Sequence, residues 1–193
     1  MSIRHYRIAS AASLAALSFT LLASAELKSI GPAQIEMHLP GGTAGLSIDG
    51  KSSKVIAVEA GGVITVRARL DCVSEDKEHT SCLKTGIAMR DKHLWKHIQA
   101  DKYPDAALAV ERSQLKIPND NDKSEGDATG SFTLHGVRKQ LNFHYAAQRT
   151  GSDIQVQGHL RINLNDYNIE RPSFTGVHTG MVADIKVQFK LRE

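Results

Sequence analysis

This 193-residue chain lacks a strong net charge, since it has 24 Lys and Arg residues against 21 Asp and Glu residues. Residues 1–25 lack acidic side chains but include Arg4 and Arg7, so the rest of the chain carries 22 cations against 21 acids, or +1. A nearly neutral chain offers no electrostatic reason to expect a nucleic-acid partner. A composition of 41% apolar and 23% charged residues also excludes a disordered tail, a collagen and a coiled-coil rod.

Motifs for nucleophilic or phosphate chemistry are missing. The nearest approach to a G-x-S-x-G nucleophile elbow, at residues 45–49, has Asp49 in place of the second glycine. The glycine-rich residues 41–45 lack the Lys-Ser/Thr pair and the following helix of a phosphate-binding loop, and they indicate a hairpin turn instead. The sequence therefore predicts no catalytic residues, and a small-ester hydrolase stays a less favoured alternative.

Metal ligands are equally sparse. His93 and His97 are spaced i, i+4, which suits zinc, but the adjacent Glu of the metalloprotease motif and a third ligand are missing. Residues 120–124 resemble the start of a calcium loop, but that loop would lack its Gly at position six and its Glu at position twelve. We therefore expect no metal and no cofactor, and we interpret residues 118–130 as a solvated loop.

Residues 1–25 have the features of a secretory signal peptide. A positive start precedes an apolar stretch from Ile8 to about Leu22, and residues 23–25 read A-S-A, which matches a cleavage site. The apolar stretch is short and is diluted by serine and threonine, unlike a membrane anchor. We predict a cleaved signal peptide over residues 1–25, one domain over residues 26–193, and a periplasmic or secreted location.

The two cysteines, Cys72 and Cys82, flank a polar segment between two β-like runs. An oxidising compartment would favour a disulfide between them, which would staple a hairpin. Closing so short a loop stabilises a fold by about 2–3 kcal/mol in the chain-entropy model. A redox or metal-binding pair is less favoured, because the spacing is not C-x-x-C and no His/Cys cluster lies nearby.

Apolar and polar residues alternate along most of the chain after residue 25. The clearest run extends from Ile154 to Leu164. Similar runs, each with one apolar and one polar face, are residues 35–39, 64–70, 131–135, 141–145 and 185–191. Turn signals such as Asp49-Gly50, Gly61-Gly62 and His135-Gly136 separate the runs. Because no helices alternate with these runs, the pattern predicts an all-β antiparallel barrel or sandwich.

Residues 91–101 break the alternation. Asp91 suits a helix N-cap, and Leu94, Trp95 and Ile98 fall on one face of a helix. A Tyr-Pro pair then ends the pattern. The segment predicts a short amphipathic helix that covers one side or end of a barrel.

Three blocks of the sequence resemble the YceI-like family of lipid-binding proteins. Residues 83–108 contain the T-G-I, R-D, H and Y-P elements of its signature, residues 128–143 resemble its H-G-V hairpin, and residues 158–191 resemble its closing strand pair. The resemblance implies a lipocalin-like antiparallel β-barrel of about eight strands, with an isoprenoid lipid or other long amphiphile in its apolar interior. It also implies an exported, non-enzymatic protein that often forms homodimers.

The barrel interior is therefore the predicted binding site. Candidate ligand contacts lie on the apolar faces of the predicted strands and on the nearby helix: Leu134, Phe143, Leu160, Ile162, Ile185, Val187, Phe189 and Trp95. Tyr167 and Arg171 are candidates for contact with a head group, although a structural role in the turn is the favoured interpretation. Patterning alone leaves open a fully packed core, in which case the protein would be an interaction module without a ligand.

Overall fold

The computed structural model describes residues 26–42, 45–71, 82–174 and 176–193. The predicted signal peptide and Cys72 lie outside these described residues. The strands are β1 (Lys28–Leu39), β2 (Ile48–Ser52), β3 (Val55–Ala60), β4 (Val63–Arg69), β5 (Asp105–Glu111), β6 (Lys123–Leu134), β7 (Val137–Thr150), β8 (Asp153–Asn163), β9 (Ser173–Phe174), β10 (Val177–His178) and β11 (Val182–Arg192). Within the described ranges, one α-helix, α1 (Ala88–His97), lies between β4 and β5, and short 3₁₀ turns occupy Arg112–Gln114 and Leu164–Tyr167.

Eight of these strands close into an antiparallel barrel. Each strand pairs with the next in the order β1, β3, β4, β5, β6, β7, β8 and β11, and β11 pairs back with β1. The start of β1 meets β3 at Lys28, whereas its second half pairs with β2, which extends the sheet beyond the ring. The lipocalin-like all-β fold predicted from the sequence is confirmed.

The alternation of apolar residues determines which side chains face inward. Along β8, Ile154, Leu160 and Ile162 are buried, and the polar residues between them are exposed. Strand β8 pairs with β11 in one continuous register, from Asn163 opposite Val182 to Asp153 opposite Arg192. Since a slip of one residue would turn the apolar face outward, the interior fixes this register.

Three sequence predictions about local structure were wrong. Helix α1 begins at Ala88 and ends at His97, and its N-cap is Ile87 rather than Asp91. The expected loop over residues 118–130 becomes strand from Lys123 onward, because the long strand β7 supplies hydrogen-bonding partners along that whole stretch. Asp49-Gly50 lies inside β2, and a side chain at Gly50 would place its Cβ 3.0 Å from the Leu83 side chain. That glycine therefore allows close packing rather than a turn.

A group of charged side chains closes the barrel end farthest from α1. Arg112 Nη1 lies 2.6 Å from Glu59 Oε2, and the backbone N–H of Leu27 donates to the same oxygen over 3.2 Å. Arg112 and Arg149 both reach Glu193, at 3.5 Å and 2.6 Å. Glu59 is only 4% exposed, so its carboxylate has lost most of its contact with water. Arg112 and Leu27 supply the hydrogen-bonding partners that replace it.

Candidate functional site

The barrel contains a cavity beneath α1, which we call the inner chamber. Its volume is about 100 Å³, and every residue that lines it is apolar. The walls come from β1, β4, β5, β6, β8 and β11, and Leu94 and Ile98 of the helical segment form the roof. Strands thus form the walls of the site, while its roof belongs to a separate helical segment.

A second cavity, the deep chamber, continues the first toward the charged end of the barrel. Its volume is about 70 Å³, and Val66, Leu160 and Val187 line both chambers. The hydroxyl of Tyr145 faces this end and accepts a hydrogen bond of 2.7 Å from the backbone N–H of Lys116. The two chambers together form an apolar volume along the barrel that favours hydrocarbon over polar solutes.

A third cavity lies outside the barrel, between α1, β2 and residues 172–173, and we call it the outer groove. Its volume is about 250 Å³. The lining residues are Leu46, Ile48, Ile87, Met89, Arg90, His93, Leu94, His97, Pro172 and Ser173. Leu94 is the one residue common to the linings of the outer groove and the inner chamber, so the two cavities meet at this side chain.

Specific hydrogen bonds hold α1 over the chambers. The buried carboxylate of Asp91 accepts hydrogen bonds of 2.6 Å from both the backbone N–H and the hydroxyl of Thr85. Trp95 Nε1 donates to the Leu83 carbonyl over 2.7 Å, and His97 Nε2 donates to the Glu170 carbonyl over 2.7 Å. The helix is therefore fastened to the segment before it and to the connection that follows β8.

The residues that carry the family resemblance meet at this end of the barrel. His135 and Gly136 form the tight turn between β6 and β7, with φ angles of +51° and +73°. The His135 ring packs edge-on against Tyr103 and donates a 2.9 Å hydrogen bond to the Tyr167 carbonyl. A Cβ at Gly136 would lie 2.6 Å from the Tyr103 ring, so the turn needs glycine both for its backbone angle and for this contact.

The seven strand residues predicted as ligand contacts all line the chambers. Leu134, Ile162 and Ile185 line the inner chamber, Phe143 and Phe189 line the deep chamber, and Leu160 and Val187 line both. Trp95 packs against the core, outside the residues that line either chamber. The alternation thus located the inward face, whereas contact with a ligand stays a prediction.

The two head-group candidates occupy different environments. Tyr167 is only 3% exposed and packs edge-on against Phe132, whereas Arg171 is exposed on the surface. Neither is among the residues that line the outer groove or the chambers. The structure does not bring this pair together as a polar site, and their head-group role stays a prediction.

Burial raises the pKa of Tyr167, and the neighbouring negative charge of Asp166 raises it further. The folded protein therefore disfavours the phenolate, whereas the unfolded chain ionises near pH 10. We expect this contribution to stability to be constant below about pH 10 and to be lost as the pH rises through the raised pKa. Urea unfolding at about pH 9 and about pH 11 should show a smaller loss of stability in Tyr167→Phe than in the unchanged protein. Equal losses in the two proteins would contradict this assignment.

The Asp91 carboxylate gives a second test of the local structure. We expect Asp91→Ala to lower the free energy of unfolding by about 2 kcal/mol, because two donors of Thr85 lose their acceptor in a buried site. Asp91→Asn keeps one acceptor oxygen and is expected to lose less. Urea denaturation measures both values, and hydrogen exchange should accelerate in residues 83–90 of the alanine variant. A loss below about 0.5 kcal/mol would show that Asp91 does not fasten the helix.

The histidines considered for zinc both line the outer groove, where His97 bonds to a backbone carbonyl. Within the described ranges, no three His, Cys, Asp or Glu side chains are grouped as they would be around a metal ion. Across the same ranges, α1 falls well short of the length and apolarity needed to cross a bilayer.

Sequence patterning did not identify the outer groove. Its walls come from residues 46–48, 87–97 and 172–173, which lie far apart in the chain. The apolar side chains of Ile87 and Met89, which are exposed in the structure, were the available signal, but their i, i+2 spacing does not match the helix that they border. By contrast, the inward faces of β1 and β4 were visible as alternation, and they do line the inner chamber.

Comparison with known proteins places this architecture in a family. The family model of the YceI-like domain matches residues 46–192. A protein named UPF0312 protein from Pseudomonas putida strain F1 is 31% identical over 104 residues, which cover 50% of this chain and 52% of that protein. A protein of the same name from Pseudomonas savastanoi pv. phaseolicola is 29% identical over 119 residues, which cover 58% of this chain and 57% of that protein. The chain spans about half the length of the curated relatives that it matches.

Solved structures share the fold at low sequence identity. A polyisoprenoid binding domain from Saccharophagus degradans, implicated in plant cell wall breakdown, superposes with a TM-score of 0.67 at 14% identity, covering 86% of this chain and 97% of that domain. The YceI protein of Campylobacter jejuni superposes with a TM-score of 0.54 at 18% identity, covering 75% of this chain and 84% of that protein. BcnA of Burkholderia cenocepacia superposes with a TM-score of 0.53 at 14% identity, covering 81% of this chain and 95% of BcnA. Because the family model accounts for most of the chain and the barrel agrees with these structures, the chain belongs to the YceI-like domain family.

Proposed function

We propose that this protein is a non-enzymatic, exported carrier that holds a long-chain amphiphile, either a polyisoprenoid or a fatty-acyl lipid, inside its barrel. The observation that carries the proposal is the pair of neighbouring apolar chambers in the barrel, which share Val66, Leu160 and Val187, with Leu94 of α1 in the lining of the inner one. Each methylene transferred into such a volume contributes about 0.8 kcal/mol. The family match and the fold shared with a polyisoprenoid binding domain support this class of ligand.

The small volumes of the chambers and the neighbouring groove suggest a route by which a lipid would enter. At about 100 and 70 Å³, both are smaller than the roughly 300 Å³ at which ligand pockets usually begin. The outer groove, at about 250 Å³, lies directly across Leu94 from the inner chamber. We propose that the hydrocarbon chain enters from this groove as the Leu94 side chain moves aside, and that the polar end of the lipid stays beside Arg90 and His93.

A binding role is favoured over an enzymatic one by the chemistry of the lining. The residues around the inner chamber are all apolar, so they include no group that would accept or donate a proton to a bound chain. The deep chamber adds Lys116 and Tyr145, and the Tyr145 hydroxyl already accepts a hydrogen bond from the backbone of Lys116. These surroundings suit retention of a ligand better than its conversion.

Native mass spectrometry of the exported protein, followed by solvent extraction of any bound lipid, tests this proposal. We expect a stoichiometric adduct that releases a prenyl or acyl chain, because the chambers would otherwise be empty apolar volume. An unliganded mass that persists after incubation with farnesol and with palmitate would exclude the carrier function. It would favour an interaction module with a vestigial cavity.

Export and the cysteine pair belong to the same proposal. Cys82 is 1% exposed, which suits a structural role, and its proposed partner Cys72 lies outside the described residues. Intact mass without reductant should be lower by the two hydrogens lost on forming the disulfide, and N-terminal sequencing should begin at Glu26. An intact mass that is the same with and without reductant, or an uncleaved N-terminus, would contradict this part of the proposal.

A further inference from the structure

The solvent-facing side of α1 combines apolar and basic side chains beside the outer groove. Ile87 is 50% exposed and Met89 is 64% exposed, and among the described residues they are two of the four large apolar side chains with substantial exposure. Lys92 and Lys96 are exposed on the same helix, three and seven residues after Met89, so they lie on the same helical face as Met89. We call Ile87, Met89, Lys92 and Lys96 the helix rim.

Among the described residues, no ion pair neutralises the positive charge of the helix rim. The only acidic residue of α1, Asp91, is buried and bonded to Thr85. Ion pairs within the described part of the chain include neither Lys92, Lys96 nor the neighbouring Arg90. The rim therefore presents cations to its surroundings together with two apolar side chains.

We propose that the helix rim docks the protein onto a lipid bilayer that contains anionic head groups. Exposed apolar side chains flanked by lysines form the pattern of interfacial binding, in which the apolar groups enter the head-group layer and the cations meet lipid phosphate. The contact would place the outer groove against the membrane, with Leu94 between the bilayer and the inner chamber. This inference rests on the proposed carrier function, for which it identifies the surface that loads or unloads the lipid.

Vesicle flotation with the exported protein tests the docking surface. The vesicles contain either phosphatidylcholine alone or phosphatidylcholine with phosphatidylglycerol. We expect partitioning onto the phosphatidylglycerol vesicles and a fall of at least tenfold in the Lys92→Glu/Lys96→Glu variant, because each lysine near an anionic surface contributes roughly fivefold. High salt should weaken the binding, since the exposed charges are then screened.

Matched variants outside α1 serve as controls. Ile56 of β3 is exposed to the same 50% as Ile87, and Lys123 at the start of β6 is exposed as Lys92 is. Ile87→Ser and Met89→Ser should reduce partitioning severalfold, whereas Ile56→Ser and Lys123→Glu should leave it unchanged. Equal partitioning onto both vesicle types, equal losses in the control variants, or the absence of vesicle binding would each overturn the proposal.

A second measurement separates this inference from the carrier function. Binding of farnesol is measured in solution, without vesicles, for the unchanged protein and for the Lys92→Glu/Lys96→Glu variant. We expect equal farnesol affinity in the two proteins together with the loss of vesicle binding in the variant. If the unchanged protein binds farnesol but does not bind anionic vesicles, the docking surface alone is overturned. If the unchanged protein does not bind farnesol, the carrier function is overturned.

Discussion

Replacing Arg112 by alanine is expected to lower the free energy of unfolding by about 3 kcal/mol, and the midpoint of thermal unfolding by roughly 6–12 °C. The reason is the burial of Glu59, whose carboxylate is 2.6 Å from Arg112 and is 4% exposed. Without the guanidinium, the buried charge keeps, among the described groups, only the Leu27 N–H as a partner. Urea and thermal denaturation of the two proteins measure the effect.

The double variant Glu59→Met/Arg112→Met distinguishes the effect of leaving the Glu59 carboxylate unpaired from the effect of losing the packing of the Arg112 side chain. Since it removes both charges and keeps most of the volume, it should be clearly more stable than Arg112→Ala. Lys51→Ala, which breaks the exposed pair of Lys51 and Glu36, is the surface control and should leave stability unchanged within error. A double variant as unstable as Arg112→Ala would show that packing, not charge burial, explains the loss.

Filling the inner chamber should have the largest effect on ligand binding. Ala106 and Ala68 are partners across β5 and β4, and both are buried and line the chamber. Ala106→Leu adds three carbon atoms to a cavity of about 100 Å³, so a bound chain loses room for about that many methylenes. We expect about 2 kcal/mol weaker binding of farnesol, or roughly 30-fold, by tryptophan fluorescence or calorimetry.

Ala107→Leu is the matched control for this variant. Ala107 is the next residue of β5 and faces the opposite side of the sheet, opposite Arg67. The same three carbons are added there outside the chamber, so farnesol affinity should be unchanged. If both variants bind farnesol as tightly as the unchanged protein does, the ligand does not occupy the inner chamber. A thermal midpoint recorded for each variant confirms that both are folded.

The strands and their inward faces were predictable from the sequence because a β-strand has a two-residue period. Ile154, Leu160 and Ile162 alternate with polar residues, and the structure places them inside the barrel. The same alternation identified Phe143 and Phe189, which line the deep chamber. Burial of one face of an antiparallel sheet is a local, periodic property, so it is visible in the sequence as alternating apolar and polar residues.

The start of α1 and the strand character of residues 123–130 were not predictable in this way. Asp91 has the chemistry of an N-cap, yet its carboxylate accepts from Thr85, six residues earlier in the chain. Gly126 and Gly130 weaken the strand signal of β6, whose hydrogen bonds are supplied by β7. In both cases a contact from outside the local window overrides local propensity.

The amino-acid sequence was enough to predict an all-β chain, the apolar faces of its strands, a helix with the only tryptophan and the family. The closure of the ring, by contrast, depends on the pairing of β11 with β1 at opposite ends of the chain. The position of Leu94 in the linings of two cavities likewise depends on the approach of residues 46–48, 87–97 and 172–173. Periodicity records which side of an element is buried, whereas the partners it meets depend on contacts between distant segments, which no local pattern encodes.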